Sequence, residues 1–196
     1  MENSEENKVS IYVHKPSLNE KLFFLFSGIL TSVPLTLFVA TFTDSICVVL
    51  PIFYAQICSV AFFTPFVEEF AKAFPLFYRH GETTRSIFTL GFLVGLGFGF
   101  TEFILYVFAL NQPILFRLPG IFFHASSTSI TAYGIGTKRP LIFYLTAVGL
   151  HFIINFVSFS QTLWTIIGPI TIAITYYLSW YLYRKTSETF PEKIKN

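Results

Sequence analysis

Long apolar runs broken by short polar stretches organise the chain. Leu22 to Phe42 is the first run, long enough to predict a membrane-crossing helix. Asp44 interrupts the pattern and predicts a tight turn. Ile46 to Tyr78 is apolar again but carries Pro51, Pro65 and Pro75. As one helix it would be roughly 50 Å long against about 30 Å of hydrocarbon, so more than one simple span is expected there. Thr64 and Pro65 read as the N-cap and first-turn proline of a new helix. Arg79, His80, Glu82 and Arg85 form a polar loop. Further spans are expected at Ile87–Leu110, Leu115–Gly136, Leu141–Phe159 and Leu163–Tyr183. Within the first of these, Gly91, Gly95 and Gly99 recur every fourth residue, a spacing that lets helices approach closely. The pattern predicts an all-α fold, a polytopic transmembrane helix bundle of six or seven spans with a four-helix polar core. Residues 1–21 read as a polar N-terminal tail, 22–184 as the membrane-embedded domain and 185–196 as a basic C-terminal tail.

Composition sharpens this picture. Of 196 residues, 53% are hydrophobic and 12% charged, against about 25% charged in an average soluble protein. Mean hydropathy is +0.62. The net charge of +2 matters less than where the charges lie. The lipid bilayer is the expected surrounding, and no nucleic acid partner is expected. The first apolar run lacks the short h-region of a cleavable signal peptide. Basic residues fall in alternating loops: Arg79 and Arg85, then Lys138 and Arg139, then Arg184, Lys185, Lys193 and Lys195. The positive-inside rule places these ends in the cytoplasm, the C-terminus included, in what is expected to be the plasma membrane. Lys8, Lys15 and Lys21 favour a cytoplasmic N-terminus and six crossings. Seven would follow if 46–63 and 65–78 both crossed. Trp180, Tyr181 and Tyr183 resemble an interfacial belt. Cys47 and Cys58 would lie about 16 Å apart on one helix, too far for a disulfide, and read as small packing residues.

Against this background a few polar groups stand out. Glu68, Glu69 and Lys72 sit between uncharged stretches. Glu102, His124 and His151 sit in three further spans. A charge near the bilayer centre costs about 2.5–3.5 kcal/mol on insertion scales, so such groups pair, line a wet cavity or do chemistry. Each has polar company at helical spacing: Tyr106 after Glu102, Thr128 and Thr131 after His124, Asn155 and Ser158 after His151. Glu102 is about 22 Å and His151 about 15 Å from cytoplasmic helix ends, His124 about 14 Å from an outer end, and Glu68 about 16 Å from Arg79. All four segments can meet at one level. Glu69 or Glu68 with Lys72 also reads as a structural ion pair, and a lone histidine as helix glue. Arg117, near a helix end, reads as a snorkelling or capping residue.

Two histidines and three glutamates suit hydrolysis in two ways. In one, His124, His151 and Glu102 bind Zn2+, and Glu68 or Glu69 is the general base. In the other, a buried glutamate takes a proton from water without a metal, and His151 with Asn155 stabilises the oxyanion. No HExxH pair is present. A non-catalytic scaffold and a proton-coupled transporter are the rival readings; the lack of an internal repeat disfavours the transporter.

The ordered set Glu68-Glu69-x-x-Lys72, Phe98-x-x-x-Glu102, His124 with its following hydroxyls and Gly134, and His151-x-x-x-Asn155 resembles the PrsW family over residues 65–156. That family is similar in turn to the CAAX-protease and bacteriocin-processing (CPBP) membrane superfamily. The resemblance implies an intramembrane metalloprotease acting on membrane-bound protein substrates. Type II CAAX enzymes carry Arg after the paired glutamates and His at the second motif. Lys72 and Glu102 stand here instead, which argues against prenyl-protein processing. The superfamily also resembles the non-catalytic scaffold subunit of gamma-secretase, and the intact Glu68-Glu69 pair favours an active enzyme.

Overall fold

A computed structural model describes residues 15–78 and 83–187. Arg79, His80 and Glu82 of the expected loop, and the charges of both far tails, lie outside these. Six long helices and no strand occur among the described residues: α1 (Leu18–Cys47), α2 (52–78), α3 (Thr84–Ala109), α4 (Ile114–Gly136), α5 (Pro140–Val157) and α6 (Gln161–Lys185). Four of them, α1, α3, α5 and α6, are long and apolar enough to cross a membrane. The other two, α2 and α4, carry the glutamate pair and a run of serines and threonines.

Local chemistry sets the helix ends. Ser17 caps α1 with a reciprocal bond to Glu20, Thr83 caps α3 through the Ser86 N–H at 3.1 Å, and Pro140 opens α5 at its first turn. Two stretches of wider π-helix, Gly28–Ser32 and Ile57–Phe63, end immediately before Val33-Pro34 and Thr64-Pro65. A proline has no N–H for the i→i−4 ladder and its ring crowds the preceding turn. The wider turn relieves that crowding without breaking the rod.

Three expectations change here. The turn is at 48–51, not at Asp44, because the Asp44 carboxylate accepts a hydrogen bond from Ser59 of α2 and the helix continues to Cys47. Thr64 is not an N-cap. Its backbone is helical (φ −54°, ψ −46°), and its hydroxyl bonds the Ser59 carbonyl within one continuous α2. That single rod stands where the seven-span count needs two. Cys47 and Cys58 form a disulfide, with Cα atoms 5.8 Å apart. The expected 16 Å assumed one helix; the reversal at 48–51 folds the second cysteine back beside the first.

The helices run alternately up and down. Phe53 of α2 meets Phe159 beyond α5 at one end, and Arg85 of α3 binds Thr186 beyond α6 at the other. The tightest seam is α3 on α4. A Cβ on Gly95 would lie 2.7 Å from the Thr128 hydroxyl and 2.8 Å from the Ala125 Cα, and one on Gly99 would lie 2.8 Å from the Ile121 Cα. The four-residue glycine row therefore carries a backbone-to-backbone contact. Buried Phe24, Leu76, Leu90, Val94 and Ala132 pack α1 to α4 together below it.

Candidate active site

Four helices converge their polar side chains. α2 supplies Glu68, Glu69 and Lys72, α3 supplies Glu102, α4 supplies His124 and Ser127, and α5 supplies His151. Glu69 and Lys72 lie one turn apart and are both fully buried, with the ammonium 2.6 Å from Glu69 Oε1. That oxygen also accepts from the Ser127 hydroxyl at 3.1 Å and lies 2.9 Å from His151 Nδ1. Lys72 Nζ in turn is 2.9 Å from His124 Nδ1 and sits over the Phe98 ring at 5.1 Å. The Lys72 ammonium, bound by one carboxylate oxygen, one histidine nitrogen and one aromatic face, ties α2 to α3 and α4, and Glu69 Oε1 brings in α5 through His151.

Consecutive residues on a helix point about 100° apart, so Glu68 cannot share this arrangement. It turns toward the other nitrogen of His151, with Oε2 3.6 Å from Nε2. A carboxylate only accepts hydrogen bonds, so the proton between Glu69 and His151 belongs to Nδ1, which in the neutral imidazole leaves Nε2 with a lone pair. Glu68 Oε2 is buried and has no hydrogen-bond partner. Two electron-pair donors thus face each other inside the protein. Glu68, His124 and His151 each offer one ligand atom, all within 4.8 Å of one another. Donors 2.0–2.1 Å from a tetrahedral ion lie about 3.4 Å apart, so this group could hold a metal once its atoms draw together and His124 releases Lys72 or Glu102.

Glu102 Oε2 contacts His124 Nε2. Glu102 is the most open of the three carboxylates, a quarter exposed, and lines a cavity of about 370 Å3 with Tyr106, His124 and His151. Phe98 and Phe123 pack against the imidazoles, with Phe123 5.7 Å from His124 and 5.5 Å from His151. These rings leave the cavity as the side from which a substrate can reach the polar groups. Asn155 lines the cavity but donates to the Val60 carbonyl at 2.9 Å, in the π-helical part of α2.

The structure therefore brings together Glu68, Glu69, Glu102, His124 and His151. Asn155 lines the same cavity but is bonded to none of these groups, with one amide hydrogen committed to α2. Glu68 joins the two histidines in the possible ligand group, and Glu102 meets His124 from the cavity side. Sequence reasoning missed Ser127, although its position three residues after His124 puts it on the same helix face. It also placed Arg117 at a helix end as a snorkelling or capping group. Arg117 does stand near the start of α4, and there it also lines the cavity, its guanidinium 3.5 Å from the centre of the Tyr106 ring.

Comparison with known proteins adds one positive finding. The family model described as PrsW family intramembrane metalloprotease matches residues 18–183. No curated protein and no solved structure matches the chain.

Proposed function

The chain belongs to the PrsW family of intramembrane metalloproteases, and on that premise we propose that Glu68, His124 and His151 hold a divalent ion at which a peptide bond of a membrane-bound protein is hydrolysed. The observation that carries the reading is the buried Glu68 Oε2, which has no hydrogen-bond partner and faces His151 Nε2 at 3.6 Å. Nitrogen and carboxylate donors suit zinc. Such an ion supplies Lewis acidity, polarising water and the scissile carbonyl.

The chain's own residues do the rest. Glu69 holds His151 in the tautomer whose Nε2 is free, and Lys72 and Ser127 fix Glu69. Glu102, on the cavity wall, accepts the proton from water and returns it to the leaving amine. Lys72 balances the glutamate charge where lipid and packed helices exclude water. Substrates are single-span proteins whose helix unwinds beside the cavity.

Six crossings place both the disulfide and the α5–α6 end of the cavity on the side opposite Lys138 and Arg139. Disulfides persist in oxidising compartments, so this orientation agrees with the basic loops: C-terminus in the cytoplasm, cavity facing out, in a plasma membrane.

Elemental analysis of the purified protein tests the reading. About one zinc per chain, lost in His124→Ala, is the expected result. Cleavage of a single-span reporter is expected to stop in Glu102→Gln while that variant keeps its melting temperature. Cleavage without any metal would move the water-activating role to the same glutamates and histidines acting alone. Metal-independent assembly with nothing cut would favour a scaffold of the gamma-secretase-subunit type.

A further inference from the structure

Arg117 is unexplained by the folding of its own helix. It stands in the first turn of α4, where the positive end of the helix dipole disfavours a cation. Among the described residues no carboxylate forms an ion pair with it. It is half-buried, and of the residues lining the catalytic cavity it alone is a lysine or arginine. Stacking on Tyr106, itself a cavity residue, occupies the guanidinium face and fixes its plane. One N–H also bonds the Tyr106 side chain, and the rest of the five-donor fork is left for a planar anion.

The surroundings say what kind of molecule brings that anion. Gln112, Asn155, Ser158 and Gln161 line the same cavity. An unwound segment within a membrane needs partners for its backbone N–H and C=O groups, and amides and a hydroxyl supply both kinds. One turn on from Arg117, a Cβ at Gly120 would meet nothing within 4 Å, so there is room for a side chain beside the guanidinium. These features fit a peptide better than a lipid headgroup.

We propose that Arg117 is a specificity-determining residue that pairs with an acidic side chain of the substrate where the chain enters the catalytic cavity. The proposal rests on the protease reading above. It makes the enzyme select substrates with Asp or Glu at one fixed position relative to the cut. Arg117 sets which bond is presented and takes no part in breaking it.

The test is cleavage of a proteome-derived peptide library by the purified full-length protein in zwitterionic nanodiscs, with cut sites read by mass spectrometry. Wild-type protein is expected to favour Asp and Glu at a single subsite about tenfold, the scale of a charge-assisted hydrogen bond. Arg117→Lys should keep the preference, Arg117→Gln should lose it, and Arg117→Glu should turn it toward Lys and Arg. A merely structural role would lower all cuts alike and could not reverse a charge preference. Cutting with no acidic preference in the wild type overturns the proposal and leaves the protease reading intact. So does an Arg117→Gln defect that appears only in nanodiscs containing phosphatidylglycerol, which would assign the guanidinium to lipid. If wild-type protein cuts no peptide and no reporter, the protease reading falls, and this proposal with it.

Discussion

The α3–α4 seam and the α1–α2 corner join helices by opposite means. At the seam, glycines remove the side chains altogether, so two backbones touch, and His124 and Glu102 are set opposite one another. At the corner, Leu37, Phe38, Phe42 and Ile46 face outward to lipid. There the disulfide and one Asp44–Ser59 hydrogen bond hold the turn. In a bilayer, burying apolar surface between helices gains little, because lipid is as apolar as leucine. Close packing, polar bonds or a covalent link must do the joining. The seam uses the first two and sets His124 against Glu102; the corner uses the last two and steadies the helix that brings Glu68 and Glu69.

Substitutions can break this contrast. Gly95→Leu has the largest expected effect. Its side chain would drive α3 away from the Ala125 backbone and the Thr128 hydroxyl, and no folded protein should be recovered by size-exclusion chromatography in mild detergent. Lys72→Met comes next. It leaves Glu69 buried without its counter-charge, a loss of about 3–5 kcal/mol. Thermal unfolding should show it, and adding Glu69→Gln to the same chain should recover most of it. If Lys72→Met melts like the wild type, the pair does not hold the site together.

At the corner the expected loss is smaller. Replacing both Cys47 and Cys58 by Ala should lower stability by about 2–4 kcal/mol. The double variant should be insensitive to reductant, while the wild type shifts toward it when reduced. An unchanged melt would mean that packing and the Asp44–Ser59 bond suffice. Gly149→Ala has the smallest effect and sharpens the seam argument. A Cβ there meets nothing within 4 Å, so a helical alanine should stabilise by about 0.5–1 kcal/mol. A clear destabilisation would show that glycine spacing alone does not tell contact from open space.

Much of this was legible in the chain. The apolar runs gave the helices within a few residues, because a bilayer fixes their length and forbids unpaired backbone. Glu68, Glu69, Glu102, His124 and His151 stood out because a charge or imidazole in such a run is expensive. Their division of labour was not legible. One face of α2 holds Glu69 against Lys72, and the preceding residue, Glu68, points elsewhere, toward His151 Nε2. Only the rotation of each helix in the bundle decides which carboxylate meets a lone pair and which meets an ammonium.

The Cys47–Cys58 bond and the place of Arg117 escaped for a related reason. Sequence spacing measures distance along a helix, and both depend on where the chain turns back. A reversal at 48–51 converts an axial separation into a side-by-side contact. The start of α4 at Ile114 puts Arg117 against Tyr106 of the preceding helix. By itself the sequence determined a membrane-embedded helical protein with acids and imidazoles in four segments that can meet at one level, because hydrocarbon penalises each of them separately. The tertiary structure alone decided which of them face each other across the cavity, because that rests on helix rotation and on contacts between residues far apart in the chain.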